Sequence, residues 1–183
     1  MNQSESEQTW LNFEKSFRDN LEIFHKQSSL HEFLMNKSEM TKFYKEKLFQ
    51  KVSESLNLNL SEKEYLRVDM TMYKVGDNKY HVPFIFIESE NDPDGDIANE
   101  IKKLLHLNAP LKVLITRGSF EKDILDNDTH WRYVIEDFAQ YGRMIGYFAF
   151  ISASWDNNKL TYQYVAYKEN GEQYSDLKTI YLD

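Results

Sequence analysis

Apolar residues in the first third of the chain recur at helical intervals. Trp10, Phe13, Phe17, Leu21 and Phe24 fall on one face, with charges between them, as a period of 3.6 residues requires. Ser28 and Ser29 offer a cap before a short run holding Leu30, Phe33 and Leu34, and Ser38 is the next N-cap candidate. Met40, Phe43, Tyr44, Leu48, Val52 and Leu56 then share a second helical face. No Pro or Gly precedes Gly76, which suits long helices.

After Ser61 the period shortens. Leu66 to Tyr73 alternates apolar with polar residues and predicts a strand. Gly76-Asp77-Asn78 supplies a turn, and Val82 to Glu90 stays apolar until Glu88, which predicts a strand buried on both faces. A loop by composition, Asn91 to Asp96, leads into a helix with Ile97, Ile101, Leu104 and Leu105 on one stripe, capped by Asp94 or Asp96. Leu111 to Thr116 predicts the next strand. Strand, helix and strand at this spacing predict a parallel pair. Asp128 or Thr129 caps another helix, whose Trp131, Val134, Ile135, Phe138 and Tyr141 face inward and which ends near Gly142. Tyr147 to Trp155, Leu160 to Tyr167 and Thr179 to Leu182 predict closing strands, with turns at Asp156-Asn157-Asn158 and Glu169-Asn170-Gly171. The predicted fold is α/β, a mixed central sheet flanked by helices. A helical segment over 1–60 precedes an α/β core over 61–183, in one compact domain overall.

Composition narrows the function classes. The chain has 183 residues, with 12 Phe, 12 Tyr and 3 Trp, ample for a core. Its net charge of −8 counts against broad binding to nucleic acid, where phosphate neutralisation supplies most of the affinity. A local basic groove stays open. The absence of cysteine excludes disulfides, thiolate catalysis and zinc–thiolate sites. No run approaches the ~18 apolar residues of a membrane span, and MNQSESEQTW has no secretory pattern. A cytoplasmic protein without a membrane partner is the expectation.

The candidate chemistry lies in three acids. Residues two apart on a strand share a face, so Glu88 and Glu90 point the same way, and Asp69 joins them if its strand pairs alongside. Converging carboxylates repel unless a cation sits among them or one stays protonated. Oxygen-only donors suit Mg²⁺ or Mn²⁺. A lysine or arginine already neutralising them would remove the hydrolase reading and leave only the predicted topology.

At these residues, over roughly 40 to 155, the chain resembles the PD-(D/E)XK nuclease-like (restriction endonuclease-like) superfamily. The likeness consists of Asp69 late in one strand, Glu88-Ser89-Glu90 ending the next nineteen residues on, and then the helix Ile97–Leu107 and strand Leu111–Thr116. It implies metal-dependent hydrolysis of DNA phosphodiesters. Asp69 would bridge the metal, with Glu88 as second carboxylate and the Ser89 carbonyl as third ligand. Glu46 or Glu54 would supply an extra acid. Two departures stand out. Val68, not proline, precedes Asp69, and Glu90 stands where the superfamily usually has lysine. Some restriction endonucleases carry Glu-x-Glu, with the last glutamate read as base or ligand. Lys102 and Lys103 are the first candidates for substrate phosphates, followed by Lys112, Arg117, Arg132 and Arg143.

Plainer readings compete. Lys102-Lys103 is also an ordinary solvated helix face. His25, His31, His81, His106 and His130 include no pair at helical zinc-motif spacing. Trp155, Tyr162, Tyr164 and Tyr167 read as a half-buried sheet before they read as a base-stacking platform. No P-loop, GxGxxG or GxSxG occurs. The rival function is a catalytically inactive nuclease-like scaffold whose acidic face binds a protein partner.

Overall fold

The amphipathic first helix needs a surface to bury its aromatic stripe, and the sheet supplies it. A computed structural model describes residues 3–27, 36–61, 63–90, 97–118, 131–142, 144–156 and 159–182. Helix α1, Glu5–Gln27, buries Trp10, Phe13, Phe17 and Leu21, each stabilising by roughly 1.5–3 kcal/mol. Helix α2, Lys37–Phe43, passes through a wider π turn at Tyr44–Leu48 into α3, Phe49–Ser55. The wider turn resets the phase of the helix. Met40, Phe43, Tyr44, Leu48, Phe49 and Val52 all reach the core as a result. Asn36 rather than Ser38 caps α2, because the Asn36 side chain accepts from the N–H of Ser38 at 3.0 Å and of Glu39 at 3.4 Å.

Seven strands form one mixed sheet in the order β1 to β7. They are β1 Asn59–Leu60, β2 Met70–Val75, β3 His81–Glu90, β4 Leu111–Arg117, β5 Tyr147–Asp156, β6 Lys159–Tyr167 and β7 Lys178–Leu182. The β1–β2 and β2–β3 pairs are antiparallel. The β3–β4 and β4–β5 pairs are parallel, and β6 and β7 return antiparallel. Helix α4, Ile97–Leu105, links β3 to β4, so the predicted strand–helix–strand unit is parallel as expected. Helix α5 is Trp131–Gln140.

Strand alternation divides the core in two. Met70, Met72, Ile85, Ile87, Leu111, Val113 and Ile115 pack with α1 to α3. Phe86, Leu114, Phe148, Phe150 and Val165 pack with Ile101, Leu104 and Leu105 of α4 and Ile135 of α5. Helices α1 to α3 thus share a core with the sheet, and β1 at Asn59–Leu60 belongs to the sheet itself.

Several expectations need correction. The strand expected from Leu66 to Tyr73 starts only at Met70, because Leu66 and Arg67 adopt φ of 55° and 64° and form a two-residue turn between Tyr65 and Val68. Tyr141 is 74% exposed rather than inward-facing, since α5 has already ended at Gln140. The expected caps at Ser28, Ser29, Asp94, Asp96, Asp128 and Thr129 lie outside the described residues, as do His31, His130, Arg143 and the placement of the Trp131 side chain. Among the described residues no helix is long and apolar enough to cross a membrane.

Candidate functional site

The site grows from a mismatch in strand length. Strand β2 begins at Met70 opposite Ile87, so Glu88, Ser89 and Glu90 run past it and pair only with β4, opposite Leu114, Ile115 and Thr116. A strand end of this kind leaves backbone groups to satisfy. The Asp69 carboxylate accepts the N–H of Ser89 at 3.0 Å, standing in for a neighbouring strand. In return the Glu88 carboxylate accepts the N–H of Asp69 at 3.1 Å. The two acids therefore clamp each other's backbone. The Ser89 carbonyl leaves the strand on the same side as its N–H.

Glu88 follows Phe86 onto the α4 face, where it is 5% exposed. Helix α4 returns across that face and brings Lys103, whose ammonium pairs with both Glu88 and Glu100. It also donates to the Arg67 carbonyl at 3.0 Å. That carbonyl is presented by the left-handed Leu66–Arg67 turn. Bulky residues adopt such a turn at a cost of roughly 1–2 kcal/mol each.

The electrostatics follow from crowding. Burial pushes the Glu88 carboxyl up to about 8, with the Asp69 charge adding to it, against the bonds from Lys103 and the Asp69 N–H. Burial also raises the Asp69 pKa, and Glu64 and Glu100 add like charge. The Ser89 N–H and the Lys103 charge oppose the rise without overcoming it. For Lys103, burial disfavours the ammonium, yet its bonds to Glu100 and Glu88 outweigh that and hold its pKa above the ordinary lysine value.

Asp69, Glu88 and Ser89 are thus brought together, and the half-buried Glu90 follows on the same strand face as Glu88. Among the described residues no group of three or more His, Asp or Glu side chains is placed to hold a metal ion. Of the expected phosphate contacts, Lys102 is exposed on α4. Lys103 is committed to Glu88, because α4 packs its Leu104 flank onto the strand that carries that acid. Lys112 is fully buried on β4, with no hydrogen-bond partner among the described residues, and burial lowers its pKa to about 8. Arg132 pairs with Glu136. Glu54 pairs with Lys51 at 2.7 Å instead of joining the clamp.

Sequence reasoning missed Glu100, Glu64 and the Arg67 carbonyl as neighbours of the acids. The Glu100–Lys103 spacing of three residues on a helix signals their own pairing. Their approach to Glu88 exists only in the folded chain. No protein-family model matches the chain, and no curated protein matches it in sequence.

Proposed function

We propose that the chain hydrolyses DNA phosphodiesters with the help of a divalent ion, Mg²⁺ or Mn²⁺, through a PD-(D/E)XK-like, restriction endonuclease-like site. The observation that carries this reading is the mutual clamp of Asp69 and Glu88, two crowded carboxylates whose pKa values are both raised. Lys103 compensates Glu88 in part, yet both pKa values stay raised, and a hard cation would relieve the remaining crowding. The element order also supports it: antiparallel strands with one acid immediately before β2 and others at the end of β3, then a helix and a parallel strand.

The donors fit such an ion. Asp69, Glu88 and the Ser89 carbonyl are all oxygen donors, and Mg²⁺ commonly binds one or two carboxylates while keeping waters and substrate phosphate oxygens. When bound, the ion lowers the pKa of a coordinated water and offsets charge on the phosphate. The protein's own residues orient the reaction. Ser89 holds the Asp69 carboxylate in place through its N–H. Lys103, held by Glu88, Glu100 and the Arg67 carbonyl, fixes the Glu88 carboxylate in place. Glu90 then takes a proton from the attacking water.

Calorimetric titration with Mn²⁺ and Mg²⁺ tests the reading on wild type and Asp69→Ala, together with cleavage assays on plasmid and single-stranded DNA. Wild type should bind, and at a hundred times Kd should gain about 2.7 kcal/mol of stability. Asp69→Ala should lose both. If wild type binds neither ion, the proposal fails. The second reading is the inactive scaffold with an acidic protein-binding face. It is favoured by Lys103, which already neutralises Glu88. Metal binding without cleavage of either DNA would select it.

A further inference from the structure

A cavity of about 630 Å³ opens beside the acid clamp, between α3, β1 and the segment leading into β2. That volume lies in the range of small-ligand sites. Thr71 and Tyr73 line it, leaving β2 opposite Met70 and Met72, which point into the α1-side core. Glu64 joins cavity and clamp, since it lines the first and adds its charge to Asp69 in the second.

The walls specify a ligand chemistry. Tyr73 stacks on His81 with ring centres 4.0 Å apart. Tyr65 lies parallel to Phe86 at 6.4 Å and 7°. Flat aromatic surfaces of this sort take a flat ring. Gln50, Asn59 and Ser61 add amide and hydroxyl groups, the types that read donor and acceptor edges of bases. Charge is nearly balanced, because Glu54 is held by Lys51 at 2.7 Å and Lys63 stands near Glu64. Nothing there favours a phosphate. The independent sign of a ligand is Thr71. Thr71 is one of the residues that line the cavity and is 2% exposed, and its hydroxyl oxygen, itself shielded from solvent, has no hydrogen-bond partner among the described residues. A buried hydroxyl left this way costs free energy that a ligand's polar edge would restore.

We infer that this cavity holds one nucleobase of the strand whose phosphate meets the acid clamp. The phosphate half of that statement rests on the phosphodiesterase proposal, whereas the base half stands on the cavity alone. Two residues of strand separate Asp69 from Thr71, ~7 Å, a distance one nucleotide spans.

The test is nuclear magnetic resonance titration of the metal-free full chain with deoxyadenosine, deoxyguanosine, deoxycytidine and thymidine, none of which carries phosphate. At least one should shift the amides of Ser61, Thr71 and Tyr73, and deoxyribose alone should not. Thr71→Val and Gln50→Ala should each weaken binding about fivefold, the worth of one hydrogen bond. Gln50 is exposed, so its variant keeps the test alive if Thr71→Val fails to fold. No shift up to the solubility of all four nucleosides overturns the inference, as does an equal response to deoxyribose. Either failure leaves the metal titration untouched. Nucleoside binding in a protein that binds no Mn²⁺ would uphold the cavity and remove the hydrolase reading alone.

Discussion

The two faces of the sheet solve different problems with the same strands. On the α1 side, aromatic rings fill the space: Phe13 lies 6.0 Å from Phe17 and 6.2 Å from Phe49, and Phe17 meets Tyr162 edge-on at 5.8 Å. Several polar groups there have partners, although the buried Trp10 indole N–H has none among the described residues. The Tyr44 and Tyr162 hydroxyls meet at 3.2 Å, and Glu14 accepts from Tyr164 at 3.1 Å and Lys178 at 2.6 Å. On the α4 side, ionisable groups are buried with less compensation. Glu88 has a raised pKa, Lys112 a lowered one, and a left-handed turn of Leu and Arg is held beside them. One face is packed for stability. The other keeps charge and backbone strain beside the two acids.

Four substitutions sharpen that contrast. Phe13→Ala should cost about 3–5 kcal/mol in urea unfolding, because the side chain is fully buried among stacked rings. A loss as small as that of a surface change would mean the α1 face is loosely packed. Lys103→Met should come next, at about 1–3 kcal/mol near pH 8, since it strands the Glu88 carboxylate. The cost should shrink toward pH 5, where Glu88 takes up a proton. The sign follows from linkage: Glu88 binds its proton more tightly folded than unfolded. Its share of wild-type stability is therefore present below the ordinary glutamate pKa of 4.5 and lost as pH rises toward about 8. A pH-independent cost would show that the pair does not titrate together.

Lys112→Met should act in the opposite direction, raising stability by roughly 1–2 kcal/mol at pH 7, because it removes a buried amine that has no hydrogen-bond partner among the described residues. For wild type, the lowered Lys112 pKa means a penalty that fades as pH climbs from about 8 toward 10.5, where the unfolded chain also gives up its proton. If Lys112→Met unfolds the protein, the amine has a structural partner. The smallest effect belongs to Arg67→Gly, which should stabilise by about 1 kcal/mol by relieving the left-handed strain. Its Mn²⁺ affinity should hold, since Lys103 is met by the Arg67 carbonyl and not by its side chain.

Much of the packing could be read from residue spacing. The stripe Trp10, Phe13, Phe17, Leu21 assigns its face correctly because burial imposes a period of 3.6 on a helix, and the unbroken apolar run Ile85-Phe86-Ile87 marks a strand segment buried on both faces. The shared face of Glu88 and Glu90 is legible because residues two apart on a strand point the same way. What escaped obeys no period. Leu66 and Arg67 mimic strand alternation yet turn, since their left-handed backbone is imposed from outside the segment. Tyr44–Leu48 hides an inserted residue inside a run that still looks helical. Lys112 sits in an apolar strand at a position whose burial contradicts its charge. The seating of Lys103 on Glu88 is a contact between residues fifteen apart, set by how α4 lies on β3 and by nothing local.

Strand β1 contributes only two residues, pairing Asn59 with Tyr73 and Leu60 with Met72. A sheet that stops so abruptly offers little template for another chain to add onto, which guards against fibril-like growth at this margin. The same brevity leaves the groove between α3 and β2 open to solvent. A longer first strand would have closed that doorway.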